Sequence, residues 1–124
     1  MPHDPQETIL QFGTGKFLRG FADLFIHELD PPGKQIGRVV ILQSTGSERA
    51  KAFNEQGGRY HLAVRGLDQG QKVDRTVEVR SVSRALATAS EWEGVLQVAG
   101  SESLRTVVSN TTEAGYGLDG ADRP

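Results

Sequence analysis

No cysteine occurs among the 124 residues, which excludes disulfide bonds, thiolate nucleophiles and cysteine-ligated zinc. Charge of one sign is also missing. Fourteen basic and 16 acidic residues leave a formal charge of −2, and the basic ones are scattered, so no patch points to nucleic acid or to an anionic membrane. No apolar run approaches the roughly 18 residues of a membrane-spanning helix. The opening "MPHDPQE" lacks the apolar centre of a secretory leader, so a reduced, cytoplasmic setting is expected. In that setting Asn110-Thr111-Thr112, formally a glycosylation acceptor, reads as an accident of a short pattern. The three histidines have no ligand spacing, and Glu91 and Glu93 point to different helix faces, so no metal site is expected.

What remains is ordinary for a soluble globular chain of one domain, with 36% hydrophobic and 24% charged residues. Residues 8–12 ("TILQF") form a short strand-like run ended by Gly13. From Phe17 to Leu29 the period becomes helical, with Leu18, Phe21, Ala22, Phe25 and Leu29 as the expected buried stripe. "DPPGKQIG" stops that helix. Residues 38–43 ("RVVILQ") have the continuous β-branched character of a strand covered on both faces. A "STGS" turn leads to a short helix over residues 48–56, closed by Gly57-Gly58. Two alternating runs, residues 60–65 and 72–82, predict a hairpin across "GLDQGQ". Ser90 and Glu93 have capping-box spacing ahead of an apolar face made of Trp92, Val95, Leu96 and Ala99. Residues 105–109 ("RTVVS") suggest another buried strand, and the last residues, 117–124, a frayed tail.

The order is β-α-β-α-hairpin-α-β. It places the chain in the α/β class: a partial Rossmann-like doubly wound sheet, mostly parallel, with a β-hairpin insertion. Three parallel strands are counted beside the hairpin, fewer than the six of a complete Rossmann sheet.

Gly13-Thr14-Gly15 lies where the first strand gives way to a helix, a position suited to cradling a pyrophosphate. Fifteen glycines produce about two G-x-G triplets by chance, so the spacing alone carries little. Two features depart from the general dinucleotide fingerprint. Leu18 stands where its third glycine would be, and Gln43, Ser44 and Thr45 stand where an acidic residue would bind the adenosine ribose. Gln43, Ser44 and Thr45 can each hydrogen-bond a ribose, and Arg49 would favour a 2′-phosphate. Dinucleotide binding and a purely structural turn both stay open on these grounds. A P-loop does not, because Leu10 and Phe17 replace the glycine and the hydroxyl residue it needs.

Three stretches in order carry a more specific likeness: "FGTGKFLRGF", "VVILQSTGSERAKAFNEQGGRYHLAVRG" and "VVSNTTEAGY". Together they resemble the mannitol dehydrogenase family, the polyol-specific long-chain dehydrogenases, whose first motif is G-x-G-x-F-x-R. Leu18 and Gln43 bring the chain closer to the hexuronate branch, which includes tagaturonate reductase (altronate oxidoreductase) and fructuronate reductase. The resemblance runs from about Ile9 to Tyr116. It implies an oxidoreductase that interconverts a sugar alcohol or aldonate with its ketose or keto-acid, using NAD, with NADP not excluded. By motif match Gly13, Thr14, Gly15, Lys16 and Phe17 would lie along the pyrophosphate. Asn110, Thr111 and Thr112 would line the pocket toward the nicotinamide ribose. Arg19 and Glu113 also belong to the motifs and are as easily structural.

Family members are several times longer, and their catalytic lysine lies in a helical C-terminal domain. The resemblance therefore implies that residues 1–116 are an incomplete N-terminal dinucleotide-binding domain, inactive alone, with no catalytic residue of its own. His3, His27 and His61 lack any partner group for acid–base work. An uncovered sheet edge and apolar surface would favour self-association. The alternative is a non-catalytic nucleotide-binding or subunit-pairing module.

Overall fold

The computed structural model describes residues 6–29 and 37–110. Its centre is a parallel sheet of four strands: β1 (Glu7–Phe12), β2 (Arg38–Gln43), β5 (Val82–Ala87) and β6 (Thr106–Ser109), in the order β5-β2-β1-β6. Counting only these parallel strands, the order is 3-2-1-4, the arrangement that opens a Rossmann sheet. The connections run through α1 (Lys16–Gly20), α2 (Ala22–Leu29), α3 (Glu48–Glu55) and α4 (Trp92–Ala99). Strands β3 (Tyr60–Asp68) and β4 (Gln71–Val79) form a separate antiparallel hairpin.

β2 explains the layering. Its residues alternate between two cores because successive side chains in a strand point to opposite faces. Val39 and Ile41 pack with Ala50 and Phe53 of α3, joined by Ile26 of α2 and Tyr60 of β3. Val40 and Leu42 pack with Val95 and Val98 of α4 on the other face. Residues Val39 through Ile41 have no exposed surface at all, as the sequence predicts for a strand covered on both sides.

Several expectations are corrected. The run over residues 72–82 is not one hairpin strand: β4 stops at Val79, the chain turns at Arg80-Ser81, and β5 begins at Val82, so there are four parallel strands rather than three. Tertiary bonds make that corner. Ser81 Oγ donates to the Asp23 carbonyl at 2.7 Å, and Val39 N–H donates to the Ser81 carbonyl at 2.8 Å.

The first helix is broken at Phe21 (φ −119°, ψ −71°), directly after Gly20. Its buried side is Leu18, Asp23 and Leu24, while Phe21, Phe25 and Leu29 of the expected stripe are more than half exposed. The break shifts the helical phase, and the phenylalanines line up outside instead. In α4 the buried residues are Val95 and Val98, with Trp92, Leu96 and Ala99 exposed. The Ser90–Glu93 capping box does not form, because Glu91 is the cap and its carboxylate accepts from Ala87 N–H at 2.8 Å. β6 is an edge strand, and most of it is exposed rather than buried. Among the described residues no helix is long and apolar enough to cross a membrane.

Candidate functional site

The carboxyl ends of β1 and β2 open onto a cleft of about 430 Å³. One wall is the turn Gly13-Thr14-Gly15. Gly13 N–H donates to the Leu42 carbonyl at 3.0 Å, and its φ of +118° is a conformation that side chains rarely adopt. A Cβ there would touch only Asn110 Oδ1 and Leu18 Cδ1, both at 3.9 Å, so Gly13 is required by backbone geometry rather than by space.

Gly15 is the reverse case. Its backbone is ordinary (φ −67°, ψ 160°), and an added Cβ would meet no atom within 4 Å. Gly15 lines the cleft, and the position its side chain would take is open space.

The facing wall is Gln43, Ser44 and Thr45, with Glu48 and Arg49 from the first turn of α3. The sequence offers Gln43 as a ribose ligand, and the structure corrects this. Gln43 is buried; its Nε2 donates to the Thr45 carbonyl at 2.7 Å, and its Oε1 accepts from Ala50 N–H at 2.8 Å. It therefore caps α3 from the end of β2, a task Ser47 does not perform with its own side chain. Ser44 and Thr45 are exposed, and their hydroxyls bond to nothing among the described residues. Arg49 Nη1 approaches Thr14 Oγ1 at 3.5 Å across the cleft.

Asn110 lies at the end of β6, beside Gly13, at the point where the strand order reverses. Ligands of open α/β sheets collect at such a point. Phe17 is 60% exposed on α1 and is not among the residues lining the cleft. The Lys16 side chain, and Thr111, Thr112 and Glu113, lie outside the described residues, as do His3 and the tail at 117–124.

No protein-family model matches the chain. Curated relatives do. It is 44% identical over 117 residues to the altronate oxidoreductase of Bacillus subtilis, covering 94% of this chain and 24% of that protein. It is 40% identical over 120 residues to the altronate oxidoreductase of Halalkalibacterium halodurans, covering 94% and 23%. Over nearly its whole length the chain is similar to altronate oxidoreductases. It spans about a quarter of the length of these relatives. In fold it is similar to a D-sorbitol dehydrogenase crystallised without substrate (TM-score 0.74, 24% identity, 97% of this chain and 25% of that one). It is also similar to the Pseudomonas fluorescens mannitol 2-dehydrogenase, solved as a ternary complex with NAD and D-mannitol (TM-score 0.77, 19% identity, 91% and 23%).

Arg19, the arginine of the first of the three resembling stretches, is directed into packing and does not line the cleft. Its guanidinium lies 5.5 Å from the Phe53 ring centre and 5.8 Å from that of Tyr60, whose hydroxyl donates to the Arg19 carbonyl at 2.5 Å. It thereby ties α1 to α3 and β3. Beneath it lies a polar pair that the sequence does not announce. Asp23 and Gln11 are both fully buried, with Gln11 Nε2 donating to Asp23 Oδ2 at 3.2 Å. Burial pushes the Asp23 carboxyl up to about 7, against the lowering effects of Gln11 and the Arg19 charge. Burial and the nearby Asp23 charge likewise push the Tyr60 phenol up, against Arg19. Neither group lines the cleft, and both fix the helices that frame it.

Proposed function

We propose that the chain is the dinucleotide-binding part of an NAD(P)-dependent oxidoreductase acting on a sugar acid or polyol, an aldonate and its keto-acid being the nearest class. The observation that carries this reading is the turn Gly13-Thr14-Gly15, which lines an open cleft at the carboxyl ends of β1 and β2, with open space where a Gly15 side chain would stand. The 44% identity to an altronate oxidoreductase supplies the reaction class. The ternary complex of the mannitol 2-dehydrogenase makes NAD the first cofactor to test.

In this reading Gly13 sets the turn, and the bare backbone of Gly15 faces the diphosphate, with Thr14, Lys16 and Phe17 on the same segment. Ser44 and Thr45 offer hydroxyls to the adenosine ribose. Asn110, followed by Thr111 and Thr112, serves the nicotinamide side. The cofactor, when bound, supplies the hydride; the chain's part is to bind and orient it. Substrate selection and acid–base chemistry are assigned to the parts of the relatives that this chain does not span. Residues 1–116 are read as the domain, with 117–124 outside it.

A second reading, a subunit-pairing module, draws on the exposed side chains of Phe17, Phe21, Phe25 and Leu29 along α1 and α2. Titration with NADH and NADPH separates the two. A dissociation constant below millimolar for either cofactor is expected, and Gly15→Val should weaken it at least about tenfold by placing a branched side chain in the cleft. Binding weaker than millimolar for both contradicts the cofactor reading. An unaffected Gly15→Val contradicts the placement of the diphosphate.

A further inference from the structure

Arg49 stands out among the charged residues of the cleft. Among the described residues no carboxylate lies within ion-pair distance of Arg49, nor of Arg19, Arg38, Arg59 or Arg105, but Arg49 is the arginine that lines this cleft. It is exposed, in the first turn of α3, and its one described side-chain contact is the 3.5 Å approach to Thr14 Oγ1. That distance is at the outer limit of a hydrogen bond, so the guanidinium is held loosely and most of its donors are unspent.

The position of this cation matters as much as its lack of a partner. Arg49 reaches from α3 to the glycine turn after β1, and it lines both the cleft and a neighbouring hollow of about 260 Å³ beside Arg19. A guanidinium presents paired N–H donors that match a phosphate, and the match is strongest where the anion brings the missing charge. Glu48, the preceding residue, lines the same cleft.

We propose that Arg49 binds a phosphate group of the dinucleotide, reaching over the glycine turn to hold it against the bare backbone of Gly15. The proposal rests on the cofactor reading above. The lean toward Thr14 favours the diphosphate; the other source of the same chemistry is the 2′-phosphate of NADP.

The test is titration of the unmodified protein, Arg49→Gln and Arg49→Lys with NADH and with NADPH, followed by nicotinamide fluorescence. Arg49 is on the surface, so the variants should share the parent's thermal midpoint. Arg49→Gln is expected to weaken both cofactors by the same factor, on the order of tenfold to a hundredfold, with part recovered in Arg49→Lys. A loss confined to NADPH would move the contact to the 2′-phosphate and overturn the placement against Gly15. Unchanged affinity of Arg49→Gln for both cofactors overturns the proposal. If the unmodified protein binds neither cofactor at millimolar concentration, the cofactor reading falls, and the assignment of Arg49 falls with it.

Discussion

Asp23 is buried without an ion pair among the described residues, and the orphaned atoms around it suggest its protonation state. Gln11 Oε1 and Asp23 Oδ1 both lack a hydrogen-bond partner. Both are acceptors when Asp23 is ionised, whereas a protonated carboxyl brings a donor of its own. The raised value of about 7 agrees with this. Because the folded pKa lies above the unfolded one, the native state holds the proton more tightly. Stability is therefore greatest near and below pH 4 as far as this group is concerned, falls as pH rises toward 7, and levels off above it. Asp23→Asn should flatten that slope and make the protein more stable than its parent at pH 8, by up to about 4 kcal/mol. Urea midpoints at pH 5 and pH 8 check this, and parallel pH profiles for the two proteins would contradict it. Sequence reading placed the phenylalanines inward because hydrophobicity alone ranks Phe above Asp. Only the kink at Phe21 and the bond from Ser81 to the Asp23 carbonyl turn the aspartate inside.

At the scale of elements, local signals were legible wherever one residue type has one steric meaning. Gly57-Gly58 closes α3 as expected, with positive φ at both residues. Gly58 also touches the sheet: a Cβ there would stand 2.3 Å from the Val82 carbonyl oxygen, at the first residue of β5. Gly58→Ala is therefore expected to cost about 2 kcal/mol or more, combining the strained φ with that clash. A denaturant midpoint equal to the parent's would contradict it. The boundary between β4 and β5 was illegible for the opposite reason. "VEVRSVSRALA" contains no glycine or proline, and Val79 and Val82 are both fully buried, so the alternation runs through a corner that only tertiary bonds create. The same holds for Gln43, whose capping of Ala50 N–H depends on the path of the "STGS" turn. Gly13 was legible as a turn. What distinguishes it from Gly15 was not, since backbone strain and open space look alike in a string of letters.

Across the described residues, the parallel order β5-β2-β1-β6 brings the glycine turn after β1 and Asn110 after β6 to one end of the sheet, with Asn110 against Gly13. The order of strands and helices was readable from hydrophobic period. The outward face of α1 and α2 was not, because an exposed apolar stripe has the same pattern as a core stripe. Phe17 and Phe21 have ring centres 5.0 Å apart, and Phe21 and Phe25 are 6.2 Å apart, making a continuous apolar ridge in solvent. A second copy is the partner available to the isolated chain, so its scattering mass should rise with concentration, and a Phe21→Ser/Phe25→Ser variant should stay monomeric. A concentration-independent monomer for the parent would contradict this. The central claim is that the cleft between β1 and β2 holds a dinucleotide. Amide chemical-shift mapping of the ¹⁵N-labelled protein during addition of NADH tests it most directly. The account predicts the largest shifts at Gly13, Thr14, Gly15, Ser44, Thr45 and Arg49. Saturable binding that leaves those amides unmoved would contradict it.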